Sequence, residues 1–189
     1  MRTLQRLGAG LLVLTLTGGI AACGSDDDTG DTGAASSTST TVAEAETIEV
    51  TAVDYEYSGL PESIPVGTTL TLTNSATDEL HELVAIALPD DETRSAEELV
   101  ALPEAELEAL FGGGPPAAVL LAPPDGGEQI QAVGDGSFNE PGRYVVICSI
   151  PIGADPEAYL NAPPSEGPPD VPGGPPHFTK GMFGEFTVE

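Results

Sequence analysis

The chain has 189 residues, with 31 Asp and Glu against 5 Lys and Arg, for a formal net charge of −26. So large an excess of carboxylates excludes a protein that grips nucleic acid by its phosphates, which it would repel. With only two His, two Cys and two Met, the chain also cannot build the extra histidine clusters of a multi-metal enzyme.

Residues 1–22 read as a targeting segment. Arg2 and Arg6 supply a positive start, and Leu7 to Ile20 is apolar but too short and wrongly flanked for a membrane span. The segment closes on Ile20-Ala21-Ala22-Cys23-Gly24, which resembles a bacterial lipobox. That resemblance implies that Cys23 is acylated, becomes the new N-terminus and anchors the protein to the outer face of the cytoplasmic membrane. An ordinary signal peptide cut after small residues, or an uncleaved anchor, is the alternative. Each buried methylene of an acyl chain adds about 0.8 kcal/mol of membrane affinity, and a second chain makes the anchoring stable.

Residues 23–46 then form a linker. Asp26, Asp27 and Asp28 precede a run of Thr, Ser, Gly and Ala with little apolar surface to bury, so this stretch is expected to be a tether or stalk. Loss of Arg2 and Arg6 leaves Arg94, Arg143 and Lys180 against the same 31 acids, a net of −28. That charge suits steering toward a basic redox partner such as a cytochrome or an oxidase, and equally suits solubility or a salty habitat.

Residues 47–189 make one domain of ordinary size, expected to be monomeric. Its short runs bounded by turn residues predict an all-β sandwich. Thr47 to Tyr55 is rich in β-branched and aromatic residues. Thr69 to Asn74 alternates, with Leu70 and Leu72 on one face. His81, Leu83, Ala85 and Ala87 share a face that period two would turn inward. Gly142 to Ile150 sets Tyr144, Val146 and Cys148 together, and Phe183 to Glu189 sets Phe186 and Val188 inward.

Two insertions interrupt this pattern. Ser95 to Phe111 predicts helix: Ser95 and Glu98 form a capping box, and Pro103-Glu104 opens a second short helix. Ile152 to Pro176 is rich in Pro and Gly and is expected to be extended, polyproline-like chain with little packed core. It begins and ends near candidate ligands, so it is expected to shield an edge of the site and restrict which partners exchange electrons there. A surface loop without that role is the alternative.

Setting aside Met1 and Cys23, the scarce soft donors are His81, Cys148, His177 and Met182. Two imidazoles, one thiolate and one thioether are the donor set of a trigonal copper site with a weak axial Met. If Cys23 carries lipid, Cys148 has no partner for an internal disulfide, and metal ligation would protect its thiol in an oxidising compartment.

The spacing Asn74-x6-His81, then Gly142-x-Tyr144-x3-Cys148, then His177-x4-Met182 before a strand, resembles the cupredoxins, the plastocyanin and azurin relatives. The resemblance covers about residues 47 to 189. It implies a Greek-key β-sandwich, here with a helical insertion and a long Pro-rich loop, and one type 1 copper ion held strongly by His81, Cys148 and His177 and axially by Met182. The chain departs from the family pattern twice. A long insertion separates Cys148 from His177, and Glu82 follows the first His where Asn or Ser is usual.

The implied function is that of an electron carrier, not an enzyme, because three strong ligands leave no open equatorial position for substrate. A cell-surface protein that binds and delivers copper through the same residues is the alternative.

Overall fold

The computed structural model describes residues 46–163 and 167–189. The targeting segment, Cys23 and nearly all of the linker lie outside the described residues. In chain order the strands are β1 (Thr47–Val53), β2 (Glu56–Ser58), β3 (Ser63–Ile64), β4 (Thr68–Asn74) and β5 (His81–Ala87). Helices α1 (Ala96–Val100) and α2 (Glu104–Phe111) follow. Then come β6 (Ala118–Ala122), β7 (Ile130–Val133), β8 (Ser137–Phe138) and β9 (Gly142–Ile147). Helix α3 (Pro156–Leu160), a 3-10 turn (His177–Lys180) and β10 (Phe183–Val188) complete the chain.

The strands form the two sheets of a sandwich, ordered β2-β1-β4-β8 and β3-β10-β9-β5-β6-β7. Consecutive strands β4 and β5 lie in different sheets, as do β8 and β9, so the chain crosses the core repeatedly. The inner faces meet through Val50, Leu70, Leu72, Leu83, Val146, Phe186 and Val188, all buried. Phe138, Tyr144 and Phe186 pack as aromatic neighbours, with Tyr144 and Phe186 stacked at 5.3 Å. The Tyr144 hydroxyl donates back to the Glu140 carbonyl at 2.8 Å, a tyrosine corner that sets the start of β9.

A second apolar cluster covers the other face of β9. Val145 and Ile147 pack there with Leu88, Ala96 and Leu99, which explains why β9 is buried on both faces. Helix α1 starts with the predicted capping box, Ser95 accepting from Glu98 N while Glu98 accepts from Ser95 N. Arg143 holds the preceding turn to the sheet by donating to the carbonyls of Glu92 and Arg94, at 2.7 and 2.9 Å. The helices therefore sit on the flank of the sandwich.

Two expectations need correction. Ala87 is exposed at the last position of β5, where the strand ends. The segment after Ile152 is not plain extended chain. Asp155 caps α3 by accepting from Ala158 N at 2.7 Å, and Pro156 occupies the first turn, where its missing N–H costs nothing. Tyr159 of that helix is buried in the main core, and Val171 packs against it.

Candidate metal centre

Register explains how residues distant in sequence meet. Strands β10, β9 and β5 are neighbours, and β5 runs antiparallel to β9 with Val84 opposite Ile147. The start of β5, which is His81, therefore lies beside the exit of β9, which is Cys148. The returning chain is bonded directly to that exit. Cys148 N donates to Met182 O at 3.1 Å, Phe178 N to Cys148 O at 3.0 Å, and His177 N to Ile150 O at 3.0 Å. Gly181 then turns the chain into β10 with φ at 113°, a left-handed backbone that side chains disfavour. This places Met182 next to Cys148 in the backbone ladder, its side chain wholly buried.

The loop before His81 is held just as firmly. Asn74 Nδ2 donates to the carbonyls of Glu79 and Ala122, both at 2.9 Å, and its Oδ1 accepts from Ala76 N at 2.8 Å. One amide thus closes the turn that delivers Glu79 and His81.

At this pole Nδ1 of His81 lies 3.2 Å from Nδ1 of His177, and Cys148 Sγ lies 3.3 Å from the same Nδ1 of His177. The three donor atoms fall within 4.8 Å of one another, and none of the three residues is more than 1% exposed. Met182 is held beside them by its backbone, which accepts from Cys148 N and donates to His177 O at 3.4 Å. Nε2 of His177 is 2.7 Å from Oε2 of Glu79, with no other polar partner for either atom among the described residues. The other oxygen of Glu79 accepts from the Tyr55 hydroxyl at 3.0 Å, and the Tyr55 ring meets the His177 ring edge-on at 5.1 Å.

The electrostatics follow from burial. Loss of water and the neighbouring His177 bring the His81 imidazole down to about 4. Burial also lowers His177, and Glu79 partly opposes it. The Cys148 thiol is pushed far up by burial and by the Glu82 carboxylate, with the N–H groups of Glu82 and Ile150 pulling the other way.

Two neutral imidazoles and a thiol thus face one point, with little else to satisfy them. Buried polar groups are ordinarily paired, and a soft cation at that point would pair all three. Zinc accepts Cys and His but not a thioether, whereas two imidazoles, a thiolate and a nearby thioether fit copper in both valences. Fold and site together give a two-sheet β-sandwich that brings two imidazoles and one thiol to one pole beside Met182, a donor set that fits one copper ion.

No protein-family model and no curated protein matches the chain. Among solved structures it is similar to dithionite-reduced auracyanin from the photosynthetic bacterium Roseiflexus castenholzii, at 22% identity and a TM-score of 0.41, covering 77% of this chain and 98% of that one. It is also similar to auracyanin A, a blue copper protein of the green thermophilic photosynthetic bacterium Chloroflexus aurantiacus, at 17% identity and a TM-score of 0.39, covering 76% and 98%. Auracyanin B matches at 19% identity and a TM-score of 0.32, covering 77% and 89%.

Sequence reasoning flagged Glu82 only as a departure, and it missed Glu79, Tyr55 and Tyr159. Glu82 is 3% exposed. Its Oε1 accepts from both the backbone and the hydroxyl of Ser149, and its Oε2 accepts from Tyr159. Glu79 stands two residues before His81, and that closeness was the one available hint.

Proposed function

We propose that the protein carries single electrons outside the cytoplasm, tethered through lipid on Cys23, with copper held by His81, Cys148 and His177 and weakly by Met182. The observation that carries this reading is the meeting of two Nδ1 atoms and one Sγ in a solvent-free pocket. Copper supplies the change of valence, at a donor set acceptable to both states.

The chain's own residues account for the rest. The bonds from Cys148, His177 and Met182 to one another's backbone keep the donors from moving as the charge changes. The N–H groups of Glu82 and Ile150 stabilise the thiolate. His177 is shut off from solvent, with Tyr55, His81, Cys148 and Glu79 in contact with its ring. A partner would approach the cleft lined by Asp54, Tyr55, Thr77, Asp78 and Glu79, whose carboxylates favour a basic surface. Copper delivery would require the metal to leave, and a buried, backbone-braced donor set favours retention. The anchor rests on the sequence Ile20 to Gly24.

The test is to add Cu(II) to the purified protein and record the visible spectrum and a voltammogram. An intense thiolate-to-copper band with a reversible one-electron couple is expected. A colourless protein would end the copper reading, and a coloured one with no reversible couple would favour delivery.

A further inference from the structure

Glu82 is a carboxylate buried beside the candidate centre, and no Lys or Arg among the described residues forms an ion pair with it. Removing a carboxylate from water is costly unless hydrogen bonds hold it. Here they do. Ser149, the residue after Cys148, gives it both N–H and hydroxyl, and Tyr159 donates to Oε2 at 3.1 Å. The backbone carbonyl of Glu82 accepts from Tyr57, which belongs to the other sheet.

One residue therefore joins four parts of the fold. By the chain itself it is bonded to His81, and through Ser149 it reaches the residue next to Cys148. Tyr57 ties it across the sandwich, and Tyr159 ties it to the long insertion. The insertion is shaped for this contact. Asp155 and Pro156 start α3, and the helix points a buried Tyr159 at the carboxylate.

We propose that Glu82 and Tyr159 are positioning residues of the metal centre, and that through them the insertion at 152–176 braces His81 and Cys148. Tyr159 keeps the carboxylate turned toward Ser149, and Ser149 keeps the Cys148 exit against the start of β5. The insertion acts as scaffolding behind the donors. This rests on the copper reading for its spectroscopic half, whereas the contact itself is testable without metal.

The test uses the full chain and two variants, Tyr159→Phe and Glu82→Gln. Phe keeps the packing ring and loses the hydroxyl. Gln keeps an acceptor for Ser149 and turns an NH₂ toward Tyr159. In the metal-free protein, amide hydrogen exchange is followed over residues 152–163 and 145–150. Losing a hydrogen bond to a charged acceptor predicts exchange faster by about tenfold in both segments for Tyr159→Phe.

With Cu(II) added, the thiolate band and the copper hyperfine splitting should shift in both variants relative to wild type. Accelerated exchange in the insertion with an unchanged band and splitting would make Tyr159 a mere loop anchor and overturn the proposal. Unchanged exchange in both segments would overturn it as well. A wild-type protein that stays colourless defeats the copper reading, while the exchange data still judge the brace. Should Tyr159→Phe fail to fold, the same measurements on Glu82→Gln decide.

Discussion

Oε2 of Glu79 lies 2.7 Å from Nε2 of His177, and Oε1 of the same carboxylate accepts from Tyr55 at 3.0 Å. A carboxylate at Nε2 favours the tautomer with its proton there, which leaves Nδ1 free as a donor. Glu79→Ala should weaken copper binding by about 10- to 100-fold, the usual effect of losing such a supporting contact. Glu79→Gln keeps an acceptor and should stay within a few-fold of wild type. Competition against a chelator of known affinity measures both, and equal affinities for all three proteins would remove Glu79 from this role.

Proton release tests the electrostatics. At neutral pH both imidazoles are already uncharged, His81 having been brought down to about 4, while burial keeps the proton on Cys148. Binding Cu(II) should therefore expel about one proton, from the thiol, and apparent affinity should rise about tenfold per pH unit near neutrality. Calorimetry in buffers of different ionisation enthalpy counts the protons. Two or more would mean that the imidazoles are charged in the metal-free protein.

Met182 should set the potential without deciding whether copper binds. Met182→Gln offers a harder oxygen donor that favours the cupric state and should lower the reduction potential. Met182→Leu removes the weak donor and should raise it. For a one-electron couple each tenfold change in relative affinity is about 59 mV. Voltammetry reads the order, and a Gln variant at or above wild type contradicts the axial assignment.

The stability of the metal-free protein should fall on acidification in a defined window. His81 takes a proton near 6.5 when unfolded but only near 4 when folded, so the unfolded chain binds the proton first. The contribution is present above about 6.5 and is lost as the pH falls through about 4, amounting to about 2 kcal/mol between pH 6.5 and 4.5. The buried carboxyl of Glu82, raised by burial, acts in the opposite sense, so the comparison must be made against a variant. Urea unfolding of wild type and His81→Gln at several pH values should show this loss in wild type alone.

Much of the architecture was legible because period-two alternation reports which face is covered. Strands β4 and β10 follow it closely. Strand β6, the apolar run Ala118–Ala122, has no alternation to read, since it is buried on both of its faces. Strand β7 is exposed throughout as an edge and carries no burial signal at all.

The meeting of His81, Cys148 and His177 was legible by scarcity, as they and Met182 were the soft donors left once Met1 and Cys23 were set aside. Their supporting groups were not. Alternation places Glu82 opposite His81, on the face left to solvent, and it is Ser149 and Tyr159 that hold its carboxylate in an interior position. The signal for α3 was present in Asp155-Pro156, a cap followed by a first-turn proline, but the surrounding Pro and Gly concealed it.

The insertion leaves and rejoins the sandwich through a narrow neck. Ile152 N donates to Pro175 O at 3.1 Å, Gly174 N donates to Ile152 O at 2.8 Å, and Pro151 bridges Pro176. Because the neck fixes both stems, added length within the insertion costs little closure entropy, about 0.6 kcal/mol for each doubling. The chain just after α3, at Ala162 and Pro163, is therefore a splice point. If copper gives the band and couple expected above, the occupancy of a recognition peptide grafted there could be read at an electrode.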